Sequence, residues 1–552
     1  MKKLPQSQID LTIETLAFGG AGVGRIEMPQ APTPSAIPTP GVKKMAVFVE
    51  GTVPGDRVKV RIGGRKRNYL IGYIDEFIEK APQRVAPFCR HFCNGNNLHC
   101  GGCSMQFLSY PDQLKIKEQH VRDSIKRIGN FEESIVLPII GCENPLYYRN
   151  KMEFSFSRMG KNSAHDDETY LTLGQHIRRR HHDLAEIEEC FLMETWVGEL
   201  VTGLRKLFRA LDEKKLLPPE MELKSLIIRN SKYSGETMIN LVADNSGYGG
   251  PEGENLPEFI SEFKNHCLDF FSGLTSAGSS EKQSPPPQLT SIFFTDIINK
   301  KGQSKKYFEH LLHGSPTITE TMKRPDGTSL HFRISPQSFF QPNTLQAEVL
   351  YGEAIKAAGL TGGETVFDLY CGAGTIGIFC ANRAKKIYGI EINKDAIKNA
   401  VQNAKDNGID NIEFFCGDTE KELAAQTAGT AQSAKTAQAA NLSPTTETGQ
   451  TTESTQATNP AIAGAPAQTF GTLPRPDLII LDPPRNGLEP GALKKIASFR
   501  APKIVYVSCN PTTQARDLRL FASHGYKLLS IRPVDMFPHT YHIESVAALQ
   551  LE

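Results

Sequence analysis

The stretch Glu364-Thr-Val-Phe-Asp368-Leu-Tyr-Cys-Gly372-Ala-Gly374-Thr375 decides the fold. Its first half is an apolar, β-branched run, the pattern of a strand buried on both faces. The glycines break that run and open a helix. The same unit recurs downstream. Lys386-Ile-Tyr-Gly-Ile-Glu391 reads as a second strand ending in a carboxylate, with a helix after it through Asn407. Asn411-Ile-Glu-Phe-Phe-Cys-Gly-Asp418 is a third, and Leu478-Ile-Ile-Leu-Asp482 and Ile504-Val-Tyr-Val-Ser-Cys509 continue the series. Strands alternating with helices from about residue 336 predict a doubly wound, Rossmann-like α/β sheet whose ligands sit at the carboxyl ends of the strands. Asp368, Glu391, Asp418, Asp482 and Cys509 all fall at such ends.

Two cofactors fit the glycine turn. Gly372-x-Gly374-x-x-Gly377 with Glu391 beyond it matches the dinucleotide fingerprint and would permit NAD. Asp368 just before the glycines, the acid Asp418 and the turn Asp482-Pro-Pro484 shift the weight to S-adenosylmethionine, a compact cation with no pyrophosphate to cradle. Arg485 stands where amino-methyltransferases carry a base-stacking aromatic, which argues against methylation of an exocyclic amine. Cys509, in a Ser-Cys-Asn-Pro turn at a strand end, reads as a nucleophile rather than a packed core thiol.

The rest of the chain bounds these readings. At 552 residues it is long enough for about three or four domains. Lys and Arg exceed Asp and Glu by a formal net charge of only +1, so any affinity for nucleic acid must come from local patches. The N-terminus lacks the apolar run of a secretory signal, and no apolar stretch reaches the roughly 18 residues of a membrane span. A cytoplasmic protein is expected.

Residues 1–80 alternate short β-like runs with glycine turns and predict a small OB-like barrel, interrupted by a Pro-rich loop from Met28 to Gly41. On it, Arg57, Lys59 and Arg61 share one strand face and form a stripe that would suit a phosphate backbone, with Arg65, Lys66 and Arg67 close by. Residues 81–335 mix helices and strands as a central α+β domain. Gln113–Ile128 has helical periodicity and is stopped by Gly129-Asn130. The run from Tyr148 to Phe156 alternates like a strand, with Arg149 and Lys151 on one face, and Ser272–Gln288 reads as a loop. Within 336–552, the Ala/Thr/Gln/Ser-rich tract 419–474 is expected to be a disordered insertion. Cys89, Cys93, Cys100 and Cys103 cluster in the central stretch, and Cys190 is available as a further ligand. Four cysteines suit zinc and an iron–sulfur cluster equally, and spacing does not choose between them.

Five segments in order, Ser335-Pro-Gln-Ser-Phe-Phe-Gln-Pro-Asn343, Asp368-Leu-Tyr-Cys-Gly-Ala-Gly374, Asp482-Pro-Pro-Arg-Asn-Gly-Leu488, Tyr506-Val-Ser-Cys-Asn-Pro511 and His542-Ile-Glu544, resemble the RNA uracil-5-methyltransferase family. The turn Gly19–Gly24, the segment Val53-Pro-Gly-Asp56 and the cysteine group resemble its iron–sulfur branch, the 23S rRNA enzymes with an N-terminal TRAM domain. The resemblance implies S-adenosylmethionine held by Gln341, Tyr370, Glu391 and Asp482, with Asp418 at a less uniform position. It implies Cys509 as nucleophile, Glu544 as general base and a [4Fe–4S] cluster on Cys89, Cys100, Cys103 and Cys190. The first cysteine spacing is longer than the family's, which leaves Cys93 as a second candidate for the first ligand. A uridine of 23S rRNA is the implied substrate, with tRNA the alternative, and no membrane or obligate protein partner is expected. An NAD-linked oxidoreductase or a non-catalytic RNA-binding scaffold would leave Cys509, Asp482-Pro-Pro484 and Glu544 unexplained.

Overall fold

The computed structural model describes residues 8–28, 43–92, 100–160, 169–178, 180–245, 258–276, 285–299, 305–417 and 473–552. Cys93, Asp418, nearly all of the Pro-rich loop and nearly all of the 419–474 tract lie outside the described residues.

The carboxyl-terminal sheet has seven strands, in the order Ile412–Cys416, Lys386–Glu391, Thr365–Leu369, Leu478–Leu481, Lys503–Ser508, Glu544–Leu551 and Tyr526–Val534. The first five pair in parallel, and Glu544–Leu551 alone is reversed, pairing antiparallel with both of its neighbours. Successive side chains of a strand point to opposite faces, so Leu478 and Ile480 enter one core while Ile479 and Leu481 enter the other. That is why Leu478–Leu481 is apolar throughout: it is buried on both faces. Three helices that feed or leave this sheet, Thr344–Ala358, Lys394–Asp406 and Pro511–Ala522, open on Asn343, Asn393 and Asn510. Each asparagine accepts a first-turn amide on its side chain.

Residues 8–28 and 43–79 form a six-stranded, curled sheet around Leu11, Val47, Val49, Val58 and Val60. Buried Asp56 locks it: its carboxylate accepts Val53 N at 2.7 Å and Ala81 N at 2.9 Å, and pairs with Arg84 at 2.9 Å. The basic stripe is not free. Arg57, Lys59 and Arg61 pair with Glu79, Glu76 and Asp75 on the neighbouring strand at 3.5, 3.2 and 3.2 Å. These three cations are paired across the strands but keep exposed side chains, as do Arg65, Lys66 and Arg67 at the strand turn.

A second seven-stranded sheet, running from Lys306–Gly314 at one edge to Arg180–Ala185 at the other, is backed by helices Trp196–Glu213 and Glu258–Ser276. Its strand Lys151–Gly160 begins after Arg149, whose backbone instead bonds to Leu192 O. Arg149 is thus not on a strand face with Lys151. Ser272–Ser276 belongs to a helix rather than a loop, because Phe271 and Leu274 carry the helical apolar stripe into the core. Helix Tyr110–Ser124 widens into a π turn over Ile125–Gly129 and ends on Asn130 at φ +59°. Val121, Ile125 and Val136 pack into the same core as Tyr506, Leu518 and Phe521 of the carboxyl-terminal domain. Among the described residues, no helix is long and apolar enough to cross a membrane.

Candidate active site at the sheet edge

Parallel strands bring their carboxyl ends to one edge, and the antiparallel strand Glu544–Leu551 brings its first residue to the same edge. The register Ser508↔Ser545 sets Glu544 beside Cys509. Asp482 ends the adjacent strand, and Arg485 follows in the Pro-Pro turn. Asn510 ties the two turns together, donating its side-chain amide to Arg485 O at 3.1 Å. Burial pushes the Cys509 thiol up to about 11, and the nearby Glu544 and Asp482 carboxyls add to this while Arg485 opposes it. Glu544 is 4% exposed, and burial together with the Asp482 carboxyl raises it well above the usual carboxylate range. Burial raises Asp482 to about 7. The candidate nucleophile, the candidate base, an acid and an arginine thus share one site.

The second half of the site lies over the glycine turn. Asp368 is fully buried and raised to about 7 by burial; its Oδ2 accepts Gly377 N at 2.9 Å, while Oδ1 has no partner. Glu391 accepts Gly372 N at 3.2 Å and Asn393 N at 2.9 Å, which joins the first two strand ends. Tyr370 sits between them at φ +62°, a left-handed conformation rare outside glycine and often found at working sites. Gly374 is at φ +76°, and a Cβ there would meet the Phe414 ring at 2.6 Å, so the turn requires glycine. Gln341 comes from the opposite wall: Asn150 of the central sheet donates its side-chain amide to Gln341 O at 2.8 Å. Tyr351, absent from the sequence expectations, is buried beside it. Its hydroxyl interacts with the Gln341 side chain and is held neutral by burial and by Asp482 and Glu544. A tyrosine two turns into a helix carries no local signal of this role. The unpartnered Asp368 oxygen and the ring of carboxyls suit a compact cationic ligand.

The cysteines form a separate site. Cys89, Cys100, Cys103 and Cys190 line one cavity of about 50 Å³ whose remaining wall includes Phe92, Met152, Ile187, Leu192 and Arg149. Three chain segments meet there, held by Glu188 N donating to the His91 ring at 3.1 Å, by Arg90–Glu188 at 2.8 Å and by Gly101 N to His176 O at 2.8 Å. Burial raises all four thiols, Cys100 to about 12. Among the described residues, no three His, Cys, Asp or Glu side chains converge on a point that could hold a metal ion. The sulfurs surround a volume rather than a point.

An open groove of about 580 Å³ borders the cysteine cavity at Gly102 and Arg149. Glu50 of the barrel, Arg149, Arg178 of the central sheet, and Tyr541 and His542 line it. Arg149 therefore borders the cysteine cavity on one side and the groove on the other, with its Nε unpartnered. Arg485 reaches His542 at 3.4 Å, linking the groove to Cys509.

The sheet, its glycine turn and its acid-lined edge define an α/β, Rossmann-like methyltransferase fold preceded by a TRAM domain. A tRNA (uracil-5-)-methyltransferase family model matches residues 296–432 and 475–551, and a TRAM-domain model matches residues 2–74. An uncharacterized RNA methyltransferase of Halalkalibacterium halodurans is 32% identical over 549 residues, covering 99% of this chain and 97% of that protein. One of Caldanaerobacter subterraneus is 30% identical, covering 98% and 97%. The crystal structure of Pyrococcus abyssi tRNA (uracil-54, C5)-methyltransferase with S-adenosyl-L-homocysteine superposes with a TM-score of 0.59 at 23% identity, over 98% of this chain and all of that one. The chain belongs to the tRNA (uracil-5-)-methyltransferase family of RNA methyltransferases.

The raised thiol of Cys509 sets a pH test. Only the thiolate reacts, so iodoacetamide modification of Cys509 in the ligand-free protein should rise about tenfold per pH unit between about pH 7 and 9. Removing the opposing cation in Arg485→Met raises the thiol further and should slow modification throughout that range. Peptide mapping measures it; a plateau within the range, or an unchanged rate in the variant, contradicts the assigned electrostatics.

Proposed function

We propose that this protein transfers a methyl group from S-adenosylmethionine to C5 of a uridine in 23S rRNA, through a covalent bond between Cys509 and C6 of the base. The observation that carries the reading is the shared edge of the sheet, where Cys509, Asp482, Arg485 and Glu544 stand within electrostatic reach of one another. Gln341, Tyr370, Glu391 and Asp482 would hold the donor, with Asp368 and Tyr351 beside them. Asp418 lies outside the described residues and remains a sequence-based candidate. The donor supplies an electrophilic methyl carbon on a positively charged sulfur.

The chain's own residues do the rest. Uracil C5 is a poor nucleophile until a thiolate adds at C6, so Cys509 must first lose its proton and then bond to C6, which leaves C5 electron-rich. Arg485 favours that thiolate. Once C5 carries the methyl group it also carries a hydrogen. Glu544 takes that proton, the C5–H electron pair forms the C5=C6 double bond, and the C6–S bond breaks to return the thiolate. Burial, with the Asp482 carboxyl adding to it, favours the protonated form of Glu544 in the empty site, and a positive charge nearby favours its ionised form. The base must leave its stack to reach this edge, and the groove lined by Arg149, Arg178, Tyr541 and His542 supports a path for flanking nucleotides.

Cys89, Cys100, Cys103 and Cys190 would hold a [4Fe–4S] cluster, which would supply a thiolate-ligated crosslink among three chain segments. Four half-buried cysteines lining one cavity, with the Arg149 guanidinium in the wall, fit that group better than a single zinc ion. The TRAM domain and this cavity favour rRNA. A tRNA substrate is the second reading, favoured by the substrate printed for the Pyrococcus abyssi protein. Action in the cytoplasm follows from either.

Labelled S-adenosylmethionine with unmodified 23S rRNA and tRNA transcripts should yield 5-methyluridine in 23S rRNA; label in tRNA alone would overturn the substrate, and label in neither would overturn the activity. Cys509→Ala should abolish transfer. Glu544→Gln should slow turnover at least about a hundredfold while a methylated protein–RNA adduct accumulates on denaturing gels; turnover near the native rate contradicts its role. Anaerobically purified protein should contain roughly four irons and four sulfides per chain, falling sharply in Cys190→Ala. Stoichiometric zinc would contradict the cluster.

A further inference from the structure

The connection between strands Tyr526–Val534 and Glu544–Leu551 leads directly into Glu544, and it is held far more firmly than a surface loop. Asp535 and Lys117 form a wholly buried pair at 2.6 Å, each side chain 0% exposed. Lys117 also donates to Phe537 O at 3.0 Å, Tyr110 donates to Asp535 Oδ2 at 3.0 Å, and Phe537 N donates to Asp535 Oδ1 at 3.1 Å. Gln113 clasps His539, accepting His539 N at 3.0 Å while its own amide lies 3.2 Å from the ring. Tyr110, Gln113 and Lys117 repeat at helical spacing on one face of Tyr110–Ser124, and His120 on that face bonds to Leu16 O of the barrel at 2.8 Å. His539 adopts φ +65°, a strained conformation that this clasp sustains. Beyond it, the connection presents Tyr541 and His542 to the groove and ends at Glu544.

A buried ion pair is a poor source of stability, because apolar residues of the same volume serve as well or better. What a pair with three further hydrogen bonds on it does supply is a single position for the segment it holds. We propose that Lys117 and Asp535 are positioning residues for proton removal: they fix the connection 535–543 on helix Tyr110–Ser124, and so set where Glu544 stands relative to Cys509. The inference rests on the methyl-transfer reading above. It assigns the pair to one step. Thiolate addition depends on Cys509, which the turn after Lys503–Ser508 holds independently. Departure of the C5 proton depends on Glu544, which the connection delivers.

The two steps separate with two RNAs. Fluorine at C5 cannot leave as a cation, so a 5-fluorouridine transcript traps the methylated adduct and reports addition and transfer alone. An ordinary uridine transcript reports proton removal as well. The double variant Lys117→Met/Asp535→Asn leaves no uncompensated charge. It should trap 5-fluorouridine RNA at the native rate, lower kcat on uridine RNA at least tenfold without raising KM, and accumulate a methylated adduct with uridine RNA that the native protein does not. An unchanged kcat, or adduct formation that falls in step with turnover, overturns the proposal. Tyr110→Phe keeps the ring and removes one bond to Asp535, so it decides the matter even where the double variant does not fold: it should show the same adduct to a smaller extent, and no accumulation overturns the assignment. Native protein that traps no 5-fluorouridine RNA would overturn the catalytic reading itself, not the positioning alone.

Discussion

The antiparallel pairing of Glu544–Leu551 with Lys503–Ser508 is the constraint on which the site depends. A purely parallel sheet delivers only strand ends to its carboxyl edge, and each such end is followed by a turn that runs away into a helix. One reversed strand delivers a strand beginning instead, and the register Ser508↔Ser545 puts that beginning against Cys509. The reversed strand must also be reached by a connection that crosses the edge. Residues 535–543 are that connection, and their burial against helix Tyr110–Ser124 draws a segment from the first quarter of the chain into the carboxyl-terminal core.

Burial governs the chemistry of this edge. Asp368, Asp482 and Glu544 are all raised, chiefly by loss of water, and the Asp482 carboxyl adds to the rise of the other two. Such a group of acids is unfavourable while empty, and it is matched to a cation. Arg485 is the counterweight on the side of Cys509, and its proline-flanked turn holds it there through Asn510. The acidic side and the arginine side divide the site between the two jobs that the proposed reaction demands, holding a positively charged donor and favouring a thiolate.

Much of this was legible in the sequence, because the parallel strands are short, apolar and punctuated by their own functional residues. Asp368, Glu391, Asp482 and Cys509 are strand-end residues in the structure as the strand pattern predicts. What was not legible comes from pairing between segments distant in the chain. Tyr351 looks like any helical tyrosine until Gln341, Asp482 and Glu544 surround it. The stripe Arg57, Lys59 and Arg61 reads as a row of unpaired cations until the acids of Tyr69–Glu79 are placed across from it. Arg149 looks like a strand-face cation, but tertiary packing buries it between the cysteine cavity and the groove. Four of the cysteines line one cavity, and spacing alone left zinc and an iron–sulfur cluster equally open because the fold, not the spacing, sets how the sulfurs stand.

The central claim is that the methyl group enters at C5 of uridine and displaces the hydrogen there. RNA transcribed with uridine tritiated at C5 tests it directly, since each transfer must then release one tritium to water. The account predicts tritium release equal to methyl incorporation at all times, and neither with Cys509→Ala. Methyl incorporation without tritium release would contradict it, because the methyl group would then lie on another atom.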